Sequence, residues 1–470
     1  MNRNRLHTLA ALALLLAAPL APASALTVPP PDVAAALAAD AAKAGPPAYR
    51  FAVPVPVAVT PLTHGDWTVL ADGRRQWRLQ VEASGAKHLN FAFTRFALPA
   101  GASLTVAAAD GSDLRGPYSA ANAVAGQLWT PVVRGSSAVI LLTLPAGTGA
   151  ADLALTAVNY GFRAFGAKDD AAAKSGRCEI DVACPEAAGW GNEIRSVARY
   201  TIAGALLCSG TLMNNTARDG TPLFLTASHC LPSAALAPTT VYYWNYQTST
   251  CGGRPDGGLE ETQMGAVMLA TSGGATVVGS DFSLLQLAQT PPAEYHVYYS
   301  GWDRRDLAPH GVVGIHHPNG DEKRISFDFD QTEIANYLEN GDGSNTGSHI
   351  RVVSWDRGVT EPGSSGSGIW NTDHHLVGTL SGGGSSCELP KDSDWYGRLQ
   401  QHWSAVPTPI TSVADWLDPA ASNADTLDGM DPAGAAQAPP AADKGSAKAG
   451  GALPMLSLVL LLGIAAIRRR

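Results

Sequence analysis

The sequence of 470 residues predicts an all-β protein made of two successive β domains. Short apolar runs separated by Gly, Pro and Asp turns occupy residues 66 to about 165. Similar short runs with Gly-rich turns occupy residues 178 to about 428. Helix signals are sparse, and the clearest one lies at residues 412–417. This length and this pattern favour separate β domains, each large enough to bury its own core.

The first β domain is predicted to be a β-sandwich. Its strands are indicated by residues 77–81, 89–93, 104–106 and 139–144. The domain contains no cysteine and no cluster of potential catalytic groups. We therefore interpret residues 26–174 as a propeptide that assists folding or blocks an active cleft; a binding module retained in the mature protein is the alternative. Residues 26 to about 50 are rich in Ala and Pro and are expected to be flexible.

The amino terminus has the composition of a secretory signal peptide. Arg3 and Arg5 precede an apolar run at residues 9–20 and then the small residues 23–25. Cleavage after Ala25 is expected, which makes residues 1–25 the signal peptide. An uncleaved membrane anchor is the weaker alternative, because the apolar run is shorter than the about 20 residues that span a bilayer.

The carboxy terminus combines a linker with a short apolar stretch. Residues 431–449 are rich in Pro, Ala and Gly, and Gly450 and Gly451 then precede an apolar stretch at residues 452–467 and three arginines. This arrangement resembles the GlyGly carboxy-terminal sorting signal of Gram-negative bacteria. The resemblance implies a short transmembrane segment within residues 450–470 and its removal by a rhomboid-like sorting protease. With a signal peptidase acting at the other end, we expect a secreted or cell-surface protein; a permanent carboxy-terminal anchor is the alternative.

The cysteine content and the charge limit the class of partner. Six cysteines in an exported chain favour three disulfides over metal ligation. They are Cys178, Cys184, Cys208, Cys230, Cys251 and Cys387. The net charge of -9 argues against nucleic acid as a partner, since phosphate binding needs a basic surface.

Residues 164–175 form a charged Gly/Ala linker in which a processing cut is expected, after Lys168 or Lys174.

Three segments of the second domain carry the groups that a serine peptidase needs. Such a site requires a nucleophilic hydroxyl, a neighbouring base and a carboxylate that orients the base. The segments are 224–230 (FLTASHC), 280–287 (SDFSLLQL) and 361–368 (EPGSSGSG). Ser365 is accordingly the predicted nucleophile, His229 the general base and Asp281 its orienting carboxylate. Glycines flank the nucleophile, so the N–H groups of Gly363 and Ser365 can converge on one oxygen and form the oxyanion hole.

The order of these groups along the chain narrows the class. The order His, Asp, Ser differs from those of α/β-hydrolases and subtilisins. The three segments resemble the TA(A/S)HC, D(I/F)xLL and G(D/S)SGxP signatures of trypsin-like proteases, with Gly368 in place of the last proline. The resemblance implies a double β-barrel protease domain at residues 175–430. Trypsin-like enzymes usually have an aspartate before the nucleophile that pairs with a new amino terminus. Ser364 stands at that position, so this activation switch is absent.

Further segments resemble the lysyl endopeptidase family of secreted bacterial proteases and occur in that family's order. They are residues 178–185, 243–247, 301–306, 315–319, 322–326 and 359–367. The resemblance implies three disulfides, which join Cys178 to Cys387, Cys184 to Cys251, and Cys208 to Cys230.

Cleavage after lysine requires a buried carboxylate that pairs with the ammonium group. Six residues before the nucleophile, where trypsin has this acid, the chain has Val359. The lysyl endopeptidase resemblance places the acid in a D-x-Y-G-R string, which matches residues 394–398. Asp394 is therefore the predicted residue of the primary pocket; an ordinary acid in an exposed loop is the alternative.

Two departures from the family leave the strictness of lysine selection open. The family has a histidine ahead of its Gly-Gly-x-Ser-Ser-Cys segment, and here that substrate-binding position is Ser381. The tryptophan that stacks on this histidine is missing from residues 339–347, and whether Trp355 replaces it is open. Arginine or mixed basic specificity is therefore an alternative. A non-catalytic adhesion protein on the same fold is a second and less favoured one.

The sequence implies no cofactor. His316 and His317 are adjacent, and neighbouring residues of a strand point to opposite faces, so they do not share a metal ion. We expect a monomer that acts on protein or peptide substrates.

Overall fold

A computed structural model describes residues 25–42, 48–166, 176–274, 276–344, 346–404 and 412–432. Nearly all of the predicted signal peptide, the candidate processing sites Lys168 and Lys174, and the predicted sorting signal at residues 450–470 lie outside these residues. Within the described part of the chain, no helix is both long and apolar enough to cross a membrane.

The amino-terminal domain is a β-sandwich, as predicted. One sheet has the strand order β1-β5-β11-β7-β8 with β4 paired to β5, and the other has the order β10-β6-β12-β3 with β9 paired to β6. The strands are β1 Leu26–Thr27, β2 Tyr49–Arg50, β3 Ala52–Val59, β4 Asp66–Val69, β5 Arg75–Glu82, β6 His88–Ala97, β7 Ser103–Ala108, β8 Leu114–Tyr118, β9 Leu128–Trp129, β10 Val133–Arg134, β11 Ser137–Leu144 and β12 Asp152–Gly161. A 3₁₀ helix spans Ala120–Asn122.

Alternation along the strands builds the core of the sandwich. Trp77, Leu79 and Val81 of β5 are fully buried, while the residues between them are partly exposed. These side chains pack against apolar residues of the other sheet, such as Phe91 and Val158. Because the side chains of a strand point to alternate faces, a period of two in the sequence gives one buried face per sheet.

The expectation of a flexible stretch at residues 26–50 is wrong for its described parts, residues 26–42 and 48–50. Strand β1 pairs in parallel with β5, and helix α1 (Val33–Ala41) begins at Asp32, whose carboxylate accepts the Ala35 N–H at 2.9 Å. Strand β2 leaves the sandwich and pairs with a strand of the second domain. Composition favoured a flexible segment, but pairing with partners that are distant in sequence orders β1 and β2.

The second domain contains two larger sheets. The first has the order β18-β17-β14-β15-β16-β20-β19, and the second has the order β13-β23-β22-β26-β27-β28-β25-β24, with β21 joining β27 to β29. The strands are β13 Ile180–Asp181, β14 Val197–Ile202, β15 Leu206–Met213, β16 Leu223–Thr226, β17 Val241–Tyr243, β18 Thr262–Met264, β19 Ala266–Thr271, β20 Ser283–Leu287, β21 Trp302–Asp303, β22 His310–His316, β23 Arg324–Gln331, β24 Glu333–Ala335, β25 His349–Val352, β26 Gly368–Asn371, β27 Leu376–Gly383, β28 Asp394–Arg398 and β29 Thr426–Leu427.

Helices are short in this domain. Helix α2 spans Gly191–Ser196, α3 Leu399–Ser404 and α4 Val413–Leu417, and the 3₁₀ helices are Pro185–Ala187, Ala234–Thr239, Ala293–Tyr295 and Pro318–Gly320. One buried cluster joins the two sheets, with Leu225 and Leu284 from the first and Ile315 and Trp370 from the second. The prediction of an all-β protein is thereby confirmed.

Three disulfides hold the loops of the second domain. They join Cys178 to Cys387, Cys184 to Cys251, and Cys208 to Cys230, which are the pairs that the family resemblance implies. The first of them links the start of the domain to the turn after β27.

The two domains share a buried apolar contact. Phe51 and Phe165 of the sandwich pack with Tyr243 and Tyr246 of the second domain. Between them lies the buried guanidinium of Arg199, whose central carbon is 3.9 Å from the ring centroids of both Phe165 and Tyr246. Stacking on two aromatic faces offsets part of the cost of burying this cation.

Candidate active site

His229 lies on a loop that follows strand β16 and that a disulfide ties to β15. The strand ends at Thr226, and two further residues lead to His229. The next residue, Cys230, is bonded to Cys208 of β15. Both cysteines are buried, as is His229 itself. The buried strand and the disulfide therefore fix the position of the imidazole.

The Asp281 carboxylate is fully buried beside His229. Its Oδ2 lies 2.8 Å from Nδ1 of His229, and its Oδ1 accepts the His229 N–H at 3.0 Å and the Ser228 hydroxyl at 2.8 Å. Burial by itself would raise the pKa of Asp281, but attraction to His229 and these hydrogen bonds lower it below the ordinary value. The carboxylate can thus hold the proton of the imidazole on Nδ1 and leave Nε2 as the base.

The loop that carries Ser365 packs against the strand that leads to His229. Gly366 has a φ of 80°, and a side chain there would lie 2.1 Å from Thr226 Oγ1 and 2.9 Å from the Ala227 nitrogen. The Ser365 carbonyl also accepts the Ser209 N–H at 2.9 Å. Glycine at position 366 is therefore required both by the backbone conformation and by the lack of space.

Three groups of this loop have no hydrogen-bond partner among the described residues: the N–H of Gly363, the N–H of Ser365 and the Ser365 hydroxyl. Gly363 has a φ of 98°, a backbone conformation that glycine adopts much more easily than other residues. Two unpaired backbone donors so close to a hydroxyl are what a developing oxyanion requires. The hydrogen bond between Ser365 and His229 is not formed in this structure, and such contacts are often long in unliganded enzymes.

Ser364, at the position of the missing activation aspartate, is held by a histidine. Its hydroxyl lies 2.8 Å from Nδ1 of His316, and Nε2 of the same ring lies 3.1 Å from the Ser326 hydroxyl. Burial lowers the pKa of His316 to about 3, so the ring is neutral at physiological pH. The sequence did not predict this contact, which joins strand β22 to the serine loop.

Asp394 begins strand β28 and is fully buried. Its Oδ2 accepts three hydrogen bonds, from the Trp355 indole at 2.7 Å, the Thr360 hydroxyl at 2.8 Å and the Ser385 hydroxyl at 2.5 Å. Its Oδ1 has no partner among the described residues. Burial raises the pKa of Asp394, and the three hydrogen bonds oppose that rise. The carboxylate is thus fixed through one oxygen and keeps the other available.

Ser381 contacts a histidine that comes from a different strand. Nε2 of His349 lies 3.0 Å from the Ser381 hydroxyl, and the Tyr337 ring lies 5.5 Å from the His349 ring. Gly397 is the partner of His349 on β28, and a side chain on Gly397 would lie 1.8 Å from the Ser280 carbonyl oxygen. Burial lowers the pKa of His349 to about 4, so this ring is also neutral. The Trp355 indole is hydrogen-bonded to Asp394, and its ring centroid lies 6.3 Å from that of Tyr396.

An all-β fold with a His–Asp pair beside a serine loop that has free N–H donors is that of a trypsin-like serine endopeptidase. The sequence matches the family described as "Lysyl endopeptidase, C-terminal domain" over residues 172–397 and "Lysyl endopeptidase N-terminal domain" over residues 32–159. It is 31% identical to a lysyl endopeptidase of Pseudomonas aeruginosa over 419 residues, which cover 77% of this chain and 85% of that relative. The chain belongs to the lysyl endopeptidase family.

Solved structures of other proteases are more distant. The active form of the Rv3671c protease of M. tuberculosis is 13% identical to this chain, with a TM-score of 0.30. The match covers 47% of this chain and 85% of the Rv3671c chain. A Glu endopeptidase is 16% identical with a TM-score of 0.30, and the match covers 48% of this chain and 93% of that one.

Proposed function

We propose that this serine endopeptidase cleaves peptide bonds on the carboxyl side of lysine, with Ser365 as nucleophile, His229 as general base and Asp281 as its orienting carboxylate. The observation that carries the lysine assignment is the Asp394 carboxylate, which is fully buried and whose Oδ1 has no partner in the described part of the chain. A buried charge of this kind is stable only when it is paired. The ammonium group of a substrate lysine would supply that pair.

In the proposed reaction, Ser365 Oγ attacks the lysyl carbonyl carbon while Nε2 of His229 takes the hydroxyl proton. The oxygen of the tetrahedral intermediate accepts hydrogen bonds from the N–H groups of Gly363 and Ser365. Collapse breaks the C–N bond, His229 gives its proton to the leaving amine, and an ester remains on Ser365. Water, deprotonated by His229, then hydrolyses the ester and regenerates the hydroxyl.

Three hydrogen-bond donors would determine which cation the pocket accepts. The donors from Trp355, Thr360 and Ser385 all go to Oδ2, so the one available oxygen suits a single point charge. An arginine fork prefers two carboxylate oxygens together, which favours lysine over arginine. Ser381 and His349 would form the adjacent wall.

We also propose the division of the chain that the sequence predicts. Residues 1–25 would direct export, residues 26–174 would be a propeptide, and residues 175–430 would be the mature protease, cut from the propeptide after Lys168 or Lys174. Residues 431–449 and 450–470 would be the linker and the sorting signal. Three disulfides and the match of the first domain to the family's amino-terminal domain support this division.

The test is a panel of chromogenic peptides that differ only in the residue before the scissile bond. The secreted, processed protein should cleave the lysyl peptide with a kcat/KM well above that for the arginyl peptide, and should not cleave the phenylalanyl peptide. Ser365→Ala should abolish turnover. Equal cleavage after lysine and arginine would favour the mixed basic specificity, and better cleavage after phenylalanine would contradict the pocket. Full activity in Ser365→Ala would contradict the mechanism.

A further inference from the structure

Strand β2 of the amino-terminal domain lies on the edge of β15 next to the serine loop. Arg50 pairs with Leu206 and Tyr49 with Leu207, in antiparallel register. Two residues beyond Leu207, the Ser209 N–H donates to the Ser365 carbonyl. The edge that β2 covers is therefore continuous with the backbone that holds the nucleophile.

The covered edge also contacts the oxyanion loop. A side chain on Gly363 would lie 3.1 Å from Leu207 Cδ1, so Leu207 packs directly against that residue. Ala48, which precedes β2, is buried in the cluster that contains Cys208 and Cys230, the disulfide beside His229. The segment Ala48–Arg50 thus begins beside the histidine loop and extends along β15.

The direction of β2 matches the direction in which a substrate would leave the site. The pocket acid Asp394 lies in the second sheet, where the residue before the scissile bond would bind. The residues after that bond must therefore extend from Ser365 over the first sheet, which contains β15. From Ala48 to Arg50 the chain runs amino to carboxyl away from Ser209, with the polarity of such a leaving segment.

Hydrogen bonding along β2 explains how this edge would hold a peptide. The Phe51 N–H donates to the Ala205 carbonyl at 3.0 Å. Because hydrogen-bonded and non-bonded pairs alternate in an antiparallel ladder, Tyr49 and Leu207 form the next bonded pair. Main-chain bonds of this type bind an extended peptide with little demand on its side chains.

Other contacts of the amino-terminal domain keep β2 in place. The Arg50 guanidinium forms an ion pair with Asp40 of helix α1, with Nη2 at 2.9 Å from Oδ1. The guanidinium of Arg163 lies 4.3 Å from the centre of the Tyr49 ring. Helix α1 and β2 also line an open cleft of about 370 Å³ together with Asn319 and Pro362, the residue before Gly363.

We propose that the edge of β15 at Leu206–Leu207 binds the substrate residues on the carboxyl side of the scissile bond, and that Ala48–Arg50 occupies this edge in the full chain. The proposal rests on the proposed function, since it assumes cleavage at Ser365. It deepens that function by giving the amino-terminal domain a defined inhibitory contact, in which β2 imitates the leaving segment. The unprocessed chain then binds a substrate through the residues up to the lysine, and the residues after the lysine add no affinity.

The test compares two fluorescent peptides on the full chain with Ser365→Ala, which prevents self-cleavage. The short probe is Ala-Ala-Lys-amide with fluorescein on its amino terminus, and the long probe adds Ala-Tyr-Ala after the lysine. Fluorescence anisotropy should give the same affinity for both probes. Tyr49→Pro removes the N–H that bonds to Leu207 and should increase the affinity for the long probe about ten-fold, the effect of one or two main-chain hydrogen bonds. The affinity for the short probe should not change.

Tyr49→Ala is the matched control, because it removes the ring and keeps the N–H, and its ratio of long to short affinity should stay near that of the parent. Hydrogen exchange at Leu207 should be slow in the parent and fast in Tyr49→Pro, while exchange in β5 and β11 stays slow if the sandwich remains folded. Ten-fold tighter binding of the long probe to the parent, or an unchanged ratio when Leu207 exchange has become fast, would overturn the proposal. If neither probe binds any variant, the lysine pocket is contradicted, and the exchange at Leu207 alone decides whether β2 covers the edge.

Discussion

The Trp355 indole donates a hydrogen bond of 2.7 Å to Oδ2 of Asp394, across 39 residues of sequence. With Thr360 and Ser385, the indole holds one carboxylate oxygen and leaves Oδ1 without a partner in the described structure. A carboxylate fixed on one side and open on the other can pair with a cation in only one direction. This asymmetry is the basis for the first prediction.

Asp394→Asn is expected to lower kcat/KM for a lysyl peptide by about a thousand-fold, because removing one partner of a buried charge pair costs about 3–5 kcal/mol. Cleavage of a peptide with an uncharged residue before the scissile bond should not fall. Thr360→Val is the control, since it removes one donor to Oδ2 and keeps the charge; a loss of about ten-fold is expected from one hydrogen bond to an ion. Steady-state kinetics on both peptides check this, and equal losses in the two variants would contradict the assignment.

The surroundings of Asp394 show what could and could not be predicted from the sequence. The strands of the sandwich follow from alternation, as at Trp77 and Leu79, and helix α4 follows from its local signal near Ser412. Asp394 itself was found through a string of residues typical of the family. Its three donors were not, because Trp355, Thr360 and Ser385 lie in separate segments that only the pairing of β25, β27 and β28 brings together.

Residues 26–50 show the limit of composition as a guide. Their Ala and Pro content favoured a flexible segment, yet Tyr49 and Arg50 form a strand because the partner edge at Leu206–Leu207 supplies the hydrogen bonds. His349 was missed for a similar reason, since its contact with Ser381 crosses β28 at a glycine. Local signals determine an element only when its partners are also local.

The second prediction concerns Ser381 and His349. Ser381→Ala leaves Nε2 of a buried imidazole without its partner, so we expect a loss of about 1–3 kcal/mol in the free energy of unfolding. His349→Phe in the same chain removes the unsatisfied group and should recover part of that loss. A double-mutant cycle from urea unfolding measures the coupling between the two side chains. Additive effects of the two substitutions would show that the 3.0 Å contact contributes nothing.

The same cycle has a kinetic readout, because Ser381 would border the substrate pocket. The ratio of kcat/KM for lysyl and arginyl peptides should change in Ser381→Ala and in His349→Phe. A merely structural contact would lower stability and leave this ratio as it is in the parent.

The third prediction concerns the disulfide that holds the histidine loop. Replacing Cys208 and Cys230 together by alanine opens a loop with a sequence separation of 22 residues. The chain-entropy estimate for that length is a loss of about 3 kcal/mol of stability. Because Cys230 is next to His229, we also expect kcat to fall while KM changes little. Removal of the Cys184–Cys251 bond is the control: it should lower stability and leave kcat nearly unchanged, and equal kcat losses would contradict the positioning role.

The fourth prediction is a pH dependence of stability that originates in a buried histidine. His402 of helix α3 is fully buried, with Nδ1 at 2.8 Å from the Ser280 hydroxyl and Nε2 at 3.2 Å from that of Thr379. Burial lowers its pKa to about 3, and His349 adds to this effect while Asp281 opposes it. The ordinary pKa of histidine in an unfolded chain is about 6.5. Between these values the unfolded chain binds a proton that the folded one does not.

Stability must therefore decrease as the pH falls from about 6.5 towards 3, by up to about 1.4 kcal/mol per pH unit for each such histidine. His402→Gln can keep both hydrogen bonds. It should reduce the pH dependence of the free energy of unfolding by nearly the amount that corresponds to the uptake of one proton. The exposed His64→Gln is the control and should keep the parental slope. Urea midpoints of the Ser365→Ala chain at pH 7, 6 and 5 measure the difference, and identical slopes in the parent and in His402→Gln would mean that His402 takes up its proton without unfolding.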